Sequence, residues 1–418
     1  MQLASIEANK EHSDVILLSA TGSGKTIAFL LPLLELINPE ASKTQALIVV
    51  PSRELALQIE KVFKTMGTRL KVTSCYGGHL RETEENNLLE APALIIGTPG
   101  RLGDHIRRGN IRTENIETLV LDEFDKSIEL GFQEEMSFVI GSLKNLKKRI
   151  LTSATEPVDI PEFIGLVEPI RLNFLTEEAN TALAVQVVKS DDKDKFDTLF
   201  KLICFLGNRS TIIFCNHRDA VERTSKLLSD KGILNVFYHG ALEQPEREVA
   251  LAKFRNGTSN ILVTTDLASR GLDIPNIRYI IHFHLPQTEE VFTHRNGRTA
   301  RMEASGTAIL ILAPDETLPP YISSDVEEIQ ITETTTLPEK PKWSTLFIGA
   351  GKKDKVNKVD IVGFLINKGE LKKEDLGLIE VKDFFSFAGV RKTKMGTVLV
   401  KIKNEKIKNK KVKIDIAK

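Results

Sequence analysis

The sequence predicts an α/β chain of two successive lobes, each a parallel β-sheet with helices on both faces, followed by a small α+β unit of four strands and two helices. Three observations predict it. Short runs that are apolar on both faces alternate with stretches of helical period. That alternation breaks at a charged passage near 175–195 and then restarts. After a second break, rich in Pro, Thr and Glu, the chain turns Lys-rich and its strand spacing changes. A length of 418 residues also exceeds what one core organises, so two or three domains are expected.

The strand candidates of the first lobe are VILLSA at 15–20, ALIVVPS at 46–52, ALIIGTP at 93–99, TLVLDE at 118–123 and RILTSA at 149–154. TIAFLLPLLELI and ELALQIEKVFKTM carry helical periodicity between them. The second lobe repeats the pattern with TIIFCN at 211–216, NVFYHG at 235–240, NILVTTD at 260–266, YIIHFHL at 279–285 and GTAILILA at 306–313. These runs set the expected boundaries: lobe 1 over 1–176, lobe 2 over 183–314, a linker over 315–342 and a C-terminal unit over 343–418. In that unit TLFIG, IEVKDF, FSFAGV and VKIDIA read as strands, with amphipathic segments at 360–371 and about 391–405, the order of a β-α-β-β-α-β fold.

Charge is distributed unevenly. Of 57 Lys+Arg and 57 Asp+Glu, 20 and 9 fall in 341–418, a surplus of +11 there and −11 in the rest. An acidic body with a basic tail suggests a polyanion as the tail's partner. No apolar run reaches the length of a membrane span and no secretory leader pattern opens the chain, so a cytoplasmic protein without a membrane partner is expected. Cys75, Cys204 and Cys215 have no paired short spacing and read as small buried hydrophobes rather than a zinc site or a disulfide.

The sharpest chemical signal is Ser19-Ala20-Thr21-Gly22-Ser23-Gly24-Lys25-Thr26, which leaves the first strand and opens a helix. Glycines let backbone N–H groups converge on phosphate oxygens, and the helix N-terminus adds a favourable field. Lys25 reaches the outer phosphates and Thr26 holds Mg²⁺ in such a loop. Asp122 and Glu123 end an apolar strand, where parallel sheets present ligand-binding edges. Acids there are often a solvated turn; paired with the phosphate loop they complete a nucleotide-hydrolysis site, Asp122 positioning Mg²⁺ and Glu123 the attacking water.

These residues resemble motifs I and II of the DEAD-box ATP-dependent RNA helicases, and further motifs follow in order. Pro51-Ser52-Arg53-Glu54-Leu55-Ala56 resembles motif Ia, Gly77-Gly78 the double-glycine motif, Thr98-Pro99-Gly100-Arg101 motif Ib and Ser153-Ala154-Thr155 motif III. Ile213-Phe214 begins motif IV, and Gln244-Pro245-Glu246-Arg247 matches the QxxR element. Thr265 through Asp273 resembles motif V, and His294 through Arg301 motif VI. Each alone is weak; their joint order over about 300 residues is specific.

The resemblance implies two RecA-like lobes with ATP between them and RNA across both. It implies that Lys25, Asp122, Glu123, Arg298 and Arg301 are catalytic, the two arginines as fingers on the transferring phosphoryl group. It places Gln2, Thr21, Gly22, Ser23, Gly24, Lys25, Thr26 and Asp273 on ATP, with Thr26 and Asp122 on Mg²⁺. Arg53, Gly78, Thr98, Arg101, Arg247, Thr265 and Arg270 would touch RNA. ATP and RNA together would favour a closed form that opens duplexes locally.

The chain departs from the family in places. Phe124 stands where the family has Ala, which requires an accommodating pocket and affects coupling to motif III. Asn296 and Ala300 are smaller departures. Gln2 stands at the adenine-reading glutamine with the preceding aromatic segment missing, for which a start placed too late is the favoured explanation over a loss of base recognition.

Residues 343–418 resemble the RNA-binding domain of the DbpA-type helicases, an RRM-like fold, on TLFIGAGKKDKVNKVDIVGFL, LGLIEVKDFFSFAGV and KIKNKKVKI. Lys352, Lys353, Lys355 and Lys358 are its candidate RNA contacts, with Phe387 or Arg391 as a further one; the lysines read equally as a solvated face, and Phe385 and Phe387 equally as core packing. This resemblance implies a target in large-subunit ribosomal RNA during ribosome assembly. One alternative stays open, an ATPase-impaired RNA-binding or annealing chaperone on a helicase scaffold. A DNA-translocating helicase is disfavoured by the complete motif set and the appended RNA module.

Overall fold

Runs such as ALIV and TLVL have no polar face, so they are stable only as strands buried on both sides. The structure, a computed structural model, uses them in that way. It describes all residues except Thr21, His79, 156–159, 176–182, 267–276, 298–305 and 332–335.

The first unit holds seven strands: β1 (Asp14–Ser19), β2 (Ala46–Val49), β3 (Val72–Cys75), β4 (Leu94–Gly97), β5 (Thr118–Leu121), β6 (Lys148–Ser153) and β7 (Ile170–Phe174). They pair in parallel in the order β3-β4-β2-β5-β6-β1-β7. Successive side chains alternate between faces. Leu47, Val49, Leu119 and Leu121 enter one core, Ala46, Ile48 and Val120 the other. This order brings the ends of β1, β6 and β5 side by side, and with them the phosphate loop, the Ser-Ala-Thr run and the Asp-Glu pair.

Phe124 is accommodated. It is 1% exposed and packs in the core with Leu18, Leu121, Met136 and Leu151. All three cysteines are free and buried, as expected. No described helix is long and apolar enough to cross a membrane.

The second unit repeats the sheet with β8 (Leu183–Lys189), β9 (Thr211–Phe214), β10 (Val236–Tyr238), β11 (Ile261–Thr264), β12 (Tyr279–His282), β13 (Gly306–Leu312) and β14 (Glu327–Glu328), in the order β10-β11-β9-β12-β13-β8-β14. The last strand lies inside the stretch expected to be a linker. Leu318, Ile322 and Val326 pack against Val187, Leu310 and Leu312, so the first half of 315–342 belongs to the lobe rather than to a free tether.

The C-terminal unit has the expected β-α-β-β-α-β order. β15 (Trp343–Ile348), β16 (Leu376–Val381), β17 (Ser386–Arg391) and β18 (Ile414–Ile416) form an antiparallel sheet, β16-β17-β15-β18. The helices Lys358–Asn367 and Lys392–Ile402 cover one face over Leu346, Ile348, Ala388 and Val390.

The other face is covered by lobe 2. Ala252, on the helix Gln244–Arg255, packs against Phe387 and Ala417, with Val249, Phe347 and Phe385 beside them. Arg255 pairs with Glu380 at 3.3 Å, and the Thr258 and Thr345 hydroxyls share a hydrogen bond of 2.8 Å. Phe387 is 0% exposed. This corrects its candidacy as an RNA contact: a ring held between the sheet and a lobe 2 helix has no face for a base.

Candidate ATP and RNA sites

The helix that follows the phosphate loop starts at Lys25, with Gly24 at φ 95° and Gly22 at φ 84°. Both lie in the left-handed region that favours glycine. At Gly24 space adds a second reason: a Cβ there would meet the Gln2 amide nitrogen at 2.7 Å. Gln2 therefore lies directly against the loop. The loop is braced from inside, Ser19 Oγ donating to Ser23 Oγ and Ser23 Oγ to the Ala20 carbonyl, each at 2.7 Å. Lys25 is buried, and its ammonium donates to the carbonyls of Ser19 and, at 3.4 Å, Ser153. Thr26 is half-buried in the first turn of the same helix.

Asp122 is 3% exposed and accepts from the Thr152 hydroxyl. Burial and the neighbouring Glu123 charge push its pKa up to about 6, and burial raises Asp125 as well. A bound cation would stabilise the charged form of such a buried carboxylate, and carboxylate and hydroxyl oxygens are the donors that suit Mg²⁺. Glu123 adopts φ 48°, a left-handed conformation unusual for a residue with a side chain and found most often at functional sites. Its N–H donates to Thr152 Oγ1 at 3.3 Å, and Thr155 Oγ1 donates to Asp125 at 3.3 Å. Motifs II and III are thus hydrogen-bonded to one another with Phe124 in place.

The strand pair β3–β4 brings the lobe 1 RNA candidates together, because Cys75 stands opposite Gly97. Gly77-Gly78 and Thr98–Arg101 then leave neighbouring strand ends, joined by Thr98 N–H donating to the Cys75 carbonyl at 3.0 Å. Arg53 donates to the Gly78 carbonyl at 3.4 Å and stacks 4.6 Å over the Tyr76 ring. Arg101 is bound through Nε to Glu84 at 2.5 Å.

In lobe 2, Arg247 donates to the Leu242 carbonyl at 3.0 Å and to that of Gly240, at the start of its helix. Thr265 follows β11 directly, its carbonyl accepting from Thr264 Oγ1 at 3.2 Å. Thr21, Arg270, Asp273, Arg298 and Arg301 lie outside the described residues.

Motif VI also contains a buried organising residue, Arg295. Arg295, 2% exposed, grips Asp266 with two nitrogens, donates to Asn216 Oδ1 at 2.8 Å and to the His284 carbonyl at 2.7 Å. It ties motifs IV, V and VI together. Burial and the Arg295 charge push His282 down to about 3, so its ring is neutral. One ring nitrogen faces Arg295 and the other Asn296 at 3.1 Å, which gives the departure at Asn296 a local partner.

Lys352, Lys353, Lys355 and Lys358 are all exposed, around the turn Lys352–Asp354 and the start of the next helix. Lys408 and Lys410 join this strip through Asp360 and Asp354, both at 2.9 Å. Arg391 instead pairs with Asp375 at 3.4 Å and lies 5.3 Å from the Trp343 ring centre.

Three family descriptions match the chain in succession: DEAD/DEAH box helicase over residues 1–163, helicase conserved C-terminal domain over 194–303, and DbpA RNA binding domain over 345–416. The chain is similar to the ATP-dependent RNA helicase DbpA of Escherichia coli, with 33% identity covering 100% of this chain and 94% of that one. To the DbpA of Bacillus subtilis the identity is 30%, with the same coverage. Among solved structures it resembles S. cerevisiae Dbp5 bound to RNA and ADP BeF3, with a TM-score of 0.65, 28% identity, and 75% of this chain and 83% of that one covered. With phosphate loop, acidic pair, ordered motifs and RNA-binding domain in one chain, the protein belongs to the DEAD-box ATP-dependent RNA helicases of the DbpA type, RNA-stimulated ATPases that bind ATP and RNA.

Proposed function

We propose that this helicase opens structured regions of large-subunit ribosomal RNA during ribosome assembly in the cytoplasm. The observation that carries the reading is the +11 surplus confined to 341–418, joined to the phosphate loop and acidic pair of lobe 1. Excess positive charge in the module raises its affinity for any RNA, and the module's fold selects among RNAs. Lys25 neutralises the outer phosphates of ATP, and Glu123 orients and deprotonates the attacking water. Thr26 and Asp122 would hold Mg²⁺, which would supply positive charge against the phosphates when the nucleotide is bound. Arg298 and Arg301 stabilise the charge that develops on the transferring group. An ATPase-impaired RNA chaperone is the weaker reading, because Lys25, Asp122 and Glu123 are all in place.

The test is steady-state ATP hydrolysis with no polymer, bulk RNA, a large-subunit ribosomal RNA fragment, and DNA. Stimulation should be strongest, and reached at the lowest concentration, with the ribosomal fragment. Equal stimulation by all RNAs removes the ribosomal assignment. Glu123→Gln should lower turnover by roughly 10²-fold or more, the worth of a general base, while RNA binding persists.

A further inference from the structure

Glu84 lies on the helix Arg81–Leu88, outside every motif named above, and is 1% exposed. Its carboxylate takes donors from three directions. Oε1 accepts the Tyr76 N–H at 2.8 Å, immediately before Gly77-Gly78. Oε2 accepts Arg101 Nε at 2.5 Å and lies 2.6 Å from His105 Nε2. Asn110 Nδ2 stands 3.1 Å from His105 Nδ1. An amide nitrogen can only donate, so Nδ1 accepts, and Nε2 carries the proton given to Glu84.

The double-glycine turn and the helix Pro99–Arg107 are therefore anchored to one buried charge. Cys75, Glu84 and His105 also bring potential metal-ligating atoms within 4.8 Å of one another. The chemistry opposes a cation there: Arg101 already places positive charge on Oε2, the His105 nitrogen is engaged, and burial drives the Cys75 thiol well above its ordinary range.

We infer that Glu84 is a positioning residue for RNA, setting the spacing between the Gly78 turn and the Thr98–Arg101 segment so that both meet the same phosphate backbone. It touches no RNA itself. Losing it takes from a backbone N–H, a guanidinium and an imidazole the acceptor they share, and with it the link through one carboxylate between the two segments. The inference rests on the reading that Gly78 and Thr98 face RNA.

The experiment measures poly(U)-stimulated ATPase of the full chain, separating the RNA concentration for half-maximal stimulation from kcat and from the KM for ATP. Glu84→Ala should raise the half-maximal RNA concentration about tenfold, with kcat at saturating RNA and the ATP KM within about twofold. Glu84→Gln keeps an acceptor for Tyr76 but loses the charge on Arg101, and should fall between. Arg101→Ala combined with Glu84→Gln should cost less than the product of the two single effects. Unchanged RNA dependence in both folded Glu84 variants, or parallel losses in ATP KM and kcat, overturns the positioning role. Thr98→Ala and Arg53→Ala test the reading beneath: if neither moves the RNA dependence, this face does not bind RNA. Stoichiometric zinc in the purified chain, lost in Glu84→Gln, would show a metal site instead.

Discussion

Phe124 shows how one residue can depart from a motif while the site keeps its bonds. The backbone turns sharply at Glu123, φ 48°, and aims the next side chain into the lobe 1 core. The acids on either side stay tied to Thr152 and Thr155. Phe124→Ala would restore the family residue yet leave a cavity, because the ring is 1% exposed in a core it shares with Leu18, Leu121 and Met136. It should destabilise lobe 1 by about 3–5 kcal/mol, the range for deleting a buried phenyl ring, read as a lower denaturant midpoint of the first transition. ATP turnover at low temperature should change little. A stability change within about 0.5 kcal/mol, the range of surface substitutions, would show that the core closes around alanine without loss.

The helix Gln244–Arg255 carries two tasks on one element. Its first turn, closed by a reciprocal capping box between Glu243 and Glu246, presents Arg247. Its last turns present Ala252 and Arg255 to the C-terminal sheet. The contact is imperfect: the Asn256 side chain is 6% exposed with neither amide atom hydrogen-bonded. Ala252→Glu places a charge against Phe387 and should release the module without unfolding it, since Leu346, Ile348 and Val390 keep a separate core. Trp343, the single tryptophan, packs near Gly257 of lobe 2 and reports the event. Its emission should shift to the red in the variant, and an unshifted spectrum with normal RNA binding would show that docking tolerates the charge.

At the scale of the molecule, an acidic motor and a basic address share one chain of zero net charge. Deleting 341–418 should leave an ATPase that needs more RNA, shows no preference among RNAs and loses less affinity as salt rises, because fewer lysines release fewer counterions. The same deletion uncovers Val249 and Ala252, so the shortened protein should also self-associate more readily. An unchanged salt slope and an unchanged RNA preference would make the module a solvated extension.

The sequence by itself determined the parallel-sheet lobes, the small four-stranded unit and the phosphate loop, because all rest on local signals. Buried parallel strands must be apolar throughout, and a phosphate loop needs its glycines and lysine within eight positions. Lys25 stands in such a loop. Glu84 and Arg295 were not legible, since an isolated Glu or Arg has no pattern until the fold buries it among donors or acceptors from distant segments. Only the tertiary structure decided that Phe387 faces a helix rather than a base, and that half of 315–342 completes a sheet. Strand periodicity tells which residues share a face; what covers that face depends on contacts between segments more than 100 residues apart, which no local pattern encodes.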